Sequence, residues 1–130
     1  MTEREIIMDP DFTEDFAMAV RIGDRIELAG QGGWQGSDMT FPDDLGEEMA
    51  QAFANIGRIL EMAGATWDDV ITVHSYHVDL PGNQDFVNAT MGALFAQHMP
   101  HHRPTWTDVG VTALGHPRMR VEVQVVAHRS

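Results

Sequence analysis

Glu122 stands in the run RVEVQVV, Arg120 to Val126, where a carboxylate among apolar strand-formers loses hydration unless a partner or a task compensates. A half-buried carboxylate of this kind can orient and deprotonate water, or pass a proton to a leaving group. A structural reading is also open: Glu122 pairs with Arg120 or Arg103, or faces solvent on a half-exposed sheet. Far upstream, Gly30-Gln31-Gly32-Gly33-Trp34 can present backbone N–H groups and an aromatic wall to a small polar ligand, because glycine permits close approach. The same residues also read as a turn with a packed tryptophan. Their spacing is neither a dinucleotide fingerprint nor a phosphate loop, and no lysine accompanies them.

Other polar side chains carry weaker signals. Asn88 reads either as a ligand-bonding group on a helix or as a side chain bonded to nearby backbone. Thr107 and Asp108 follow Trp106 in a strand that can border the pocket of Glu122. Successive strand side chains alternate faces, so Thr107 and Asp108 cannot both point to one face, although either can contribute backbone. Among the seven histidines, His101 and His102 are adjacent and His98 lies across Pro100. His74 and His77 sit in a strand at a spacing that sends them to opposite faces. With no HExxH frame and no cysteine, neither a metal site nor a cofactor is expected, and thiolate catalysis and disulfides are impossible.

These residues must be positioned by a small fold. The 130 residues suit a single domain, residues 1–130, so a deep pocket lies within that domain or between subunits. Twenty acidic residues face eight arginines, for a formal charge of -12. A surface that negative repels phosphate backbones and acidic membranes, so neither nucleic acid nor membrane is expected as a partner. No stretch approaches a membrane span and the N-terminus lacks a signal-like apolar run, which leads to the expectation of a cytoplasmic protein.

Periodicity supplies the elements. A short strand is expected over Ile6–Met8. A hairpin follows from Ala17–Ile22 and Arg25–Leu28, turning at Gly23-Asp24. The glycine-rich segment Gly30–Gly36 reads as a tight loop. Met49, Phe53, Ile56, Leu60 and Ala63 draw one apolar stripe, predicting a helix over Leu45–Ala63 that Gly64 can end, with Glu47, Glu48 and Glu61 left wet. A strand is expected over Val70–Val78, then a break at Pro81-Gly82, then a helix over about Asp85–His98. Strands Thr105–Thr112 and Met119–Ala127 complete the chain, the last with Glu122 opposite a Met119, Val121, Val123, Val125 face.

Two helices cover one face of a sheet, giving a two-layer α/β sandwich. The other face is expected to carry Val70, Tyr76, Val78, Val126 and Trp106. No third layer covers it, so the chain is expected to self-associate.

Phe16 to Ala127 resembles the RidA/YjgF family of enamine/imine deaminases, long labelled translation inhibitors or L-PSP endoribonucleases. The likeness is carried by AVRIGDRIELAGQGG, QAFANIGRILEMAGATWDDVITVHSYHVD, DFVNATMGALF and VGVTALGHPRMRVEVQVVA. It implies a chorismate-mutase-like fold with a mixed sheet, and a homotrimer with pockets at its subunit interfaces. It further implies that water attacks the imine tautomer of a 2-aminoacrylate-type compound, releasing ammonia and a 2-oxo acid, with Glu122 at the position of the family glutamate that positions water. Asn88 falls at the family's helix asparagine, Gly30 and Gln31 at its SGQ loop, and Phe16 at its pocket tyrosine.

Three positions depart from the family pattern. Trp106 falls where the carboxylate-binding arginine is expected, Ala29 replaces the loop serine, and Phe16 lacks the tyrosine hydroxyl. An arginine clamps a carboxylate with two charged hydrogen bonds, whereas an indole offers one neutral N–H and an apolar face. Loss of that clamp weakens a carboxylated substrate by roughly tenfold to a hundredfold. Arg103, Arg118 and Arg120 are candidate substitute anchors. The expected ligand is a small molecule, held by Phe16, Gly30, Gln31, Trp34, Asn88, Trp106, Thr107 and Asp108 and hydrolysed at Glu122. A ligand-binding or protein-interaction role without catalysis is the competing reading.

Overall fold

The computed structural model describes residues 3–129. Helix α1 spans Leu45–Met62 and begins at Asp44, whose carboxylate accepts the Glu47 N–H at 2.9 Å. That bond satisfies one of the donors that a first helical turn leaves free. At the other end Gly64 takes φ 82°. The Ala65 and Gly64 N–H groups reach back to the carbonyls of Leu60 and Glu61, a glycine-dependent stop. Met49, Phe53, Ile56, Leu60 and Ala63 are all buried, as their spacing requires.

Helix α2 spans Leu80–His98, about one turn longer than the expected start at Asp85. Pro81 does not break the chain; it occupies the first turn, after Asp79 in a left-handed conformation with φ 56°. A proline is compatible with that position because N–H groups there have no intrahelical acceptor to lose.

The strands are β1 Arg4–Ile7, β2 Ala19–Ile22, β3 Arg25–Leu28, β4 Gln31–Gly32, β5 Val70–Val78, β6 Thr105–Val111 and β7 Val121–His128. They form one sheet in the order β1-β2-β3-β7-β5-β6, with β4 beside β7. The β5–β6 pair is parallel, bridged by α2, and the other pairs are antiparallel. Glycines expected to form only a loop therefore include a two-residue strand, because β7 offers free backbone groups beyond the end of β3.

Both helices cover the same face, where Val73, Val121, Val123 and Val125 join Phe53, Ile56, Met91 and Phe95 in the core. This is the expected two-layer sandwich on a mixed sheet. Tyr76, Val78 and Val126 lie half-buried on the other face, continuing to Ile6 and Ile22, each 47% exposed, and to Val109, 40% exposed.

Two residues expected on that open face lie instead under the helices. The register shifts between Val70 and Thr72. This extra residue, Ile71, inverts the alternation and buries Val70. Trp106 pairs with Val73 and so shares its helix-covered side. Among the described residues no helix is long and apolar enough to cross a membrane.

Candidate functional site

Glu122 is placed by two neighbours of β7. It pairs with Tyr76 of β5 on one side and Gly32 of β4 on the other. Between β3 and β4 the chain passes directly over the Glu122 side chain at Gly30. A Cβ added to Gly30 would lie 2.5 Å from Glu122 Oε1 and 2.8 Å from its Cδ, well inside contact distance. Only glycine lets the backbone pass there without moving the carboxylate.

The carboxylate opens into a cleft of about 510 Å³ whose apolar walls include Phe12, Phe16, Trp34, Met39 and Met119. Burial raises the Glu122 pKa above the usual carboxylate value, since a poorly hydrated carboxylate gains more by taking up a proton. Among the described residues no arginine pairs with it. The expected structural partner Arg120 is committed elsewhere. An underhydrated carboxylate beside open space is a better base than one on free surface, and it can receive a proton from water and return it.

The wall opposite β7 is held from α1. Trp34 is buried and its ring lies 4.9 Å from that of Phe12. The Asn55 amide donates to the carbonyls of Gly32 at 2.8 Å and Trp34 at 2.9 Å. Gly33 leaves no room for a side chain, because a Cβ there would lie 2.3 Å from the Glu48 carbonyl oxygen. Glu48 itself is fully buried rather than wet, and its carboxylate accepts from the Arg120 N–H and Nε, both at 2.7 Å. The N-terminal turn of α1 is thereby fastened to the entry of β7, two residues before Glu122. Neither anchor was among the candidate residues. Asn55 is hidden by its place beside an apolar stripe, and Glu48 by its resemblance to its solvated neighbour Glu47.

Of the expected site residues, the single chain brings together Phe16, Gly30, Trp34 and Glu122. Gln31 adjoins the cleft but is turned under α1. It is 1% exposed, its amide nitrogen bonding the Ala29 and Gly30 carbonyls at 3.3 and 3.2 Å.

Asn88 is exposed on α2, away from Glu122. Trp106 and Asp108 lie on the helix-covered face, and Thr107 lies on the open face beside His74; none of the three lines this cleft. The Trp106 Nε1–H donates to Ser75 Oγ at 2.9 Å and its ring meets Phe95 edge-on at 5.3 Å. Strand parity thus corrects the expectation that Trp106 lies on the open face with Glu122.

The candidate anion anchors also point elsewhere. Arg103 donates to the carbonyls of Met99 and His102, Arg118 pairs with Asp43 at 3.3 Å, and Arg120 pairs with Glu48. His74 is exposed and His77 buried on the opposite side, as their spacing requires. His116 was missed as a candidate. It lines the Glu122 cleft from the turn before β7, and its only sequence signal is a Gly-His-Pro corner between two strands.

The family model described as Endoribonuclease L-PSP matches residues 7–129. The RutC family protein YjgH of Escherichia coli strain K12 is 33% identical over 112 residues, covering 86% of this chain and 81% of that protein. The solved structure of protein YjgH superposes with a TM-score of 0.75 at 32% identity, covering 88% of this chain and 83% of the other. The structure of the E. coli YjgF gene product gives a TM-score of 0.80 at 26% identity, covering 90% of each chain.

Proposed function

This chain belongs to the RidA/YjgF family, and from that premise we propose that it hydrolyses a small imine or enamine to a carbonyl compound and ammonia, with Glu122 as the base. Membership supports a small-molecule function. The observation that carries the finer reading is the Glu122 carboxylate, underhydrated and without an arginine partner among the described residues, facing a cleft with apolar walls.

The chemistry needs one proton carrier. Glu122 takes a proton from water as the oxygen bonds to the imine carbon, and the C=N electron pair moves to nitrogen, which receives that proton. The resulting carbinolamine loses its O–H proton to Glu122 as the carbonyl forms, and the nitrogen leaves as ammonia with a proton from the same carboxyl. Oxygen, nitrogen and protons balance with no oxidant, and Glu122 ends ionised as it began.

The favoured substrate is uncharged. A carboxylated imine would bring a second negative charge beside Glu122, and among the described residues no guanidinium lines the cleft to offset it. The proposed assembly is a cytoplasmic homotrimer in which a neighbouring copy closes the cleft. The apolar stretch of the open sheet face around Tyr76, Val78 and Val109 supports it. A ribonuclease reading finds little support in a chain of charge -12 without lysine.

The test uses neutral imines from an amine oxidase and carboxylated imines from an amino-acid oxidase, with carbonyl release measured above the uncatalysed rate. Neutral imines are expected to turn over faster, and Glu122→Gln to lower that rate roughly a hundredfold or more. Equal rates for the variant and the unaltered chain would overturn the role of Glu122. Saturable binding with no product on any imine would overturn hydrolysis and leave a binding protein.

A further inference from the structure

His116 lines the Glu122 cleft, and two contacts fix its ring. Phe41 lies 5.0 Å away, centroid to centroid, with the planes tilted by 38°. On the ring edge, the Arg118 N–H donates to His116 Nδ1 at 3.1 Å. An imidazole nitrogen that accepts a hydrogen bond carries no proton, so the neutral ring holds its proton on Nε2. The hydroxyl groups nearby are less directional: Ser37 is exposed, and Thr13 Oγ1 already accepts from the Asp15 N–H.

We infer that the Nε2–H of His116 is the hydrogen-bond donor that orients the ligand in the Glu122 cleft, and that the ligand is a small apolar molecule carrying an uncharged oxygen acceptor such as a ketone or amide carbonyl. This deepens the small-molecule reading of the same cleft and rests on it. A single donor on a fixed ring suits one carbonyl oxygen; it lacks the second parallel donor with which a guanidinium holds a carboxylate. The aromatic rings of Phe12, Phe16 and Trp34 supply an apolar seat for the remainder of the molecule. His116 is a binding and positioning residue here, and proton transfer stays with Glu122.

The test titrates the ¹⁵N-labelled full-length protein with three probes of one skeleton: acetophenone, ethylbenzene and benzoate. Acetophenone is expected to bind most tightly, with shifts centred on the cleft. His116→Phe keeps a ring against Phe41 and removes the donor. It is expected to weaken acetophenone roughly threefold to tenfold, the range for a neutral hydrogen bond, and to leave ethylbenzene within about twofold. The ¹⁵N shifts of His116 in the unaltered chain, measured without any variant, are expected to place the proton on Nε2.

A proton on Nδ1, unchanged acetophenone affinity, equal weakening of both neutral probes, tighter binding of benzoate, or no shifts at the cleft would each overturn the inference. These are binding readouts. Failure of the Glu122→Gln hydrolysis test leaves them intact, and their failure leaves the role of Glu122 as base standing.

Discussion

Gly30 and Glu122 meet backbone against carboxylate, with no space between them for even a methyl group. Gly30→Ala would place its Cβ 2.5 Å from Glu122 Oε1, so either the carboxylate or the strand must move. Displacement of a catalytic group by about 1 Å lowers rate by roughly tenfold to a hundredfold, and overpacking costs about 1–3 kcal/mol of stability. Gly92→Ala is the matched control. Nothing lies within 4 Å of a Cβ at that helical position, so the change is expected to stabilise the fold by about 0.5–1 kcal/mol. Imine hydrolysis and thermal unfolding of the two variants, measured together, check both outcomes.

Ionisation of Glu122 opposes folding. Its folded pKa is raised by burial above the ordinary carboxylate value. The stability it contributes is therefore fully present below the unfolded pKa and is lost as pH rises through the folded one. Glu122→Gln removes the charge and keeps the shape, so at neutral pH it is expected to raise the melting temperature while lowering hydrolysis roughly a hundredfold or more. The stability gain should vanish in acid, where the unaltered side chain is itself neutral. Hydrolysis by the unaltered chain should appear only as pH rises through the same raised value, because the base form is the one that accepts a proton from water. Melting curves and rate profiles across the acid range check the two together.

The helices and most of the sheet were legible because their signals are local. The stripe from Met49 to Ala63 and the alternation of β7 fix which residues face the core, and Glu122 falls on the other side by the same count. Gly30 and Trp34 came with it because they flank the short strand β4 that pairs against β7, whereas Phe16, ahead of β2, was indicated only by the family resemblance. What was not legible depends on register between distant strands. The bulge at Ile71 moves Val70 to the helix side, and the pairing of Trp106 with Val73 moves the indole under α2. One residue of slip inverts every side chain, and no periodicity within a single strand reports it. Glu48 and His116 escaped for a related reason. Each gains its significance from a partner far along the chain or from a corner, and neither interrupts a pattern.

The ion pair that fastens α1 to the entry of β7 gives a stability prediction. Glu48 is fully buried and bonds Arg120 through both backbone and side chain at 2.7 Å. Arg120 also donates to the Pro42 and Asp43 carbonyls at 3.1 and 3.0 Å. Glu48→Gln leaves the guanidinium without its counter-charge and is expected to cost roughly 2–4 kcal/mol, less than a fully buried pair because the arginine retains contact with water. Replacing Arg120 by methionine leaves an unpaired carboxylate at a buried position and is expected to cost at least as much. Chemical denaturation of both single variants and the double variant gives the coupling between them. Additive losses would show that the two side chains stabilise the fold separately.

Beneath α2, Trp106, Ser75 and His77 form a hydrogen-bonded line: Trp106 Nε1–H to Ser75 Oγ at 2.9 Å, and Ser75 Oγ to His77 Nε2 at 2.8 Å. His77 Nδ1 is buried and has no partner among the described residues. Desolvation lowers the His77 pKa below the ordinary imidazole value, against a smaller opposing pull from Asp108. The sign is therefore opposite to that of Glu122. The stability from His77 is present above the unfolded pKa and is lost as pH falls through the folded one. His98, half-buried beside Phe53 and Trp67, is shifted in the same direction by desolvation, so these two histidines are expected to lower the melting temperature as pH falls from about 7.5 to about 5.5, against the opposite contribution of Glu122. His77→Gln cannot take up that proton and should flatten part of the dependence, leaving the part due to His98. Trp106→Phe keeps the edge-on contact with Phe95 but removes the donor to Ser75, at an expected cost of about 1 kcal/mol. If His77→Gln melts with the full pH dependence of the unaltered chain, the line under α2 is not the source of its acid sensitivity.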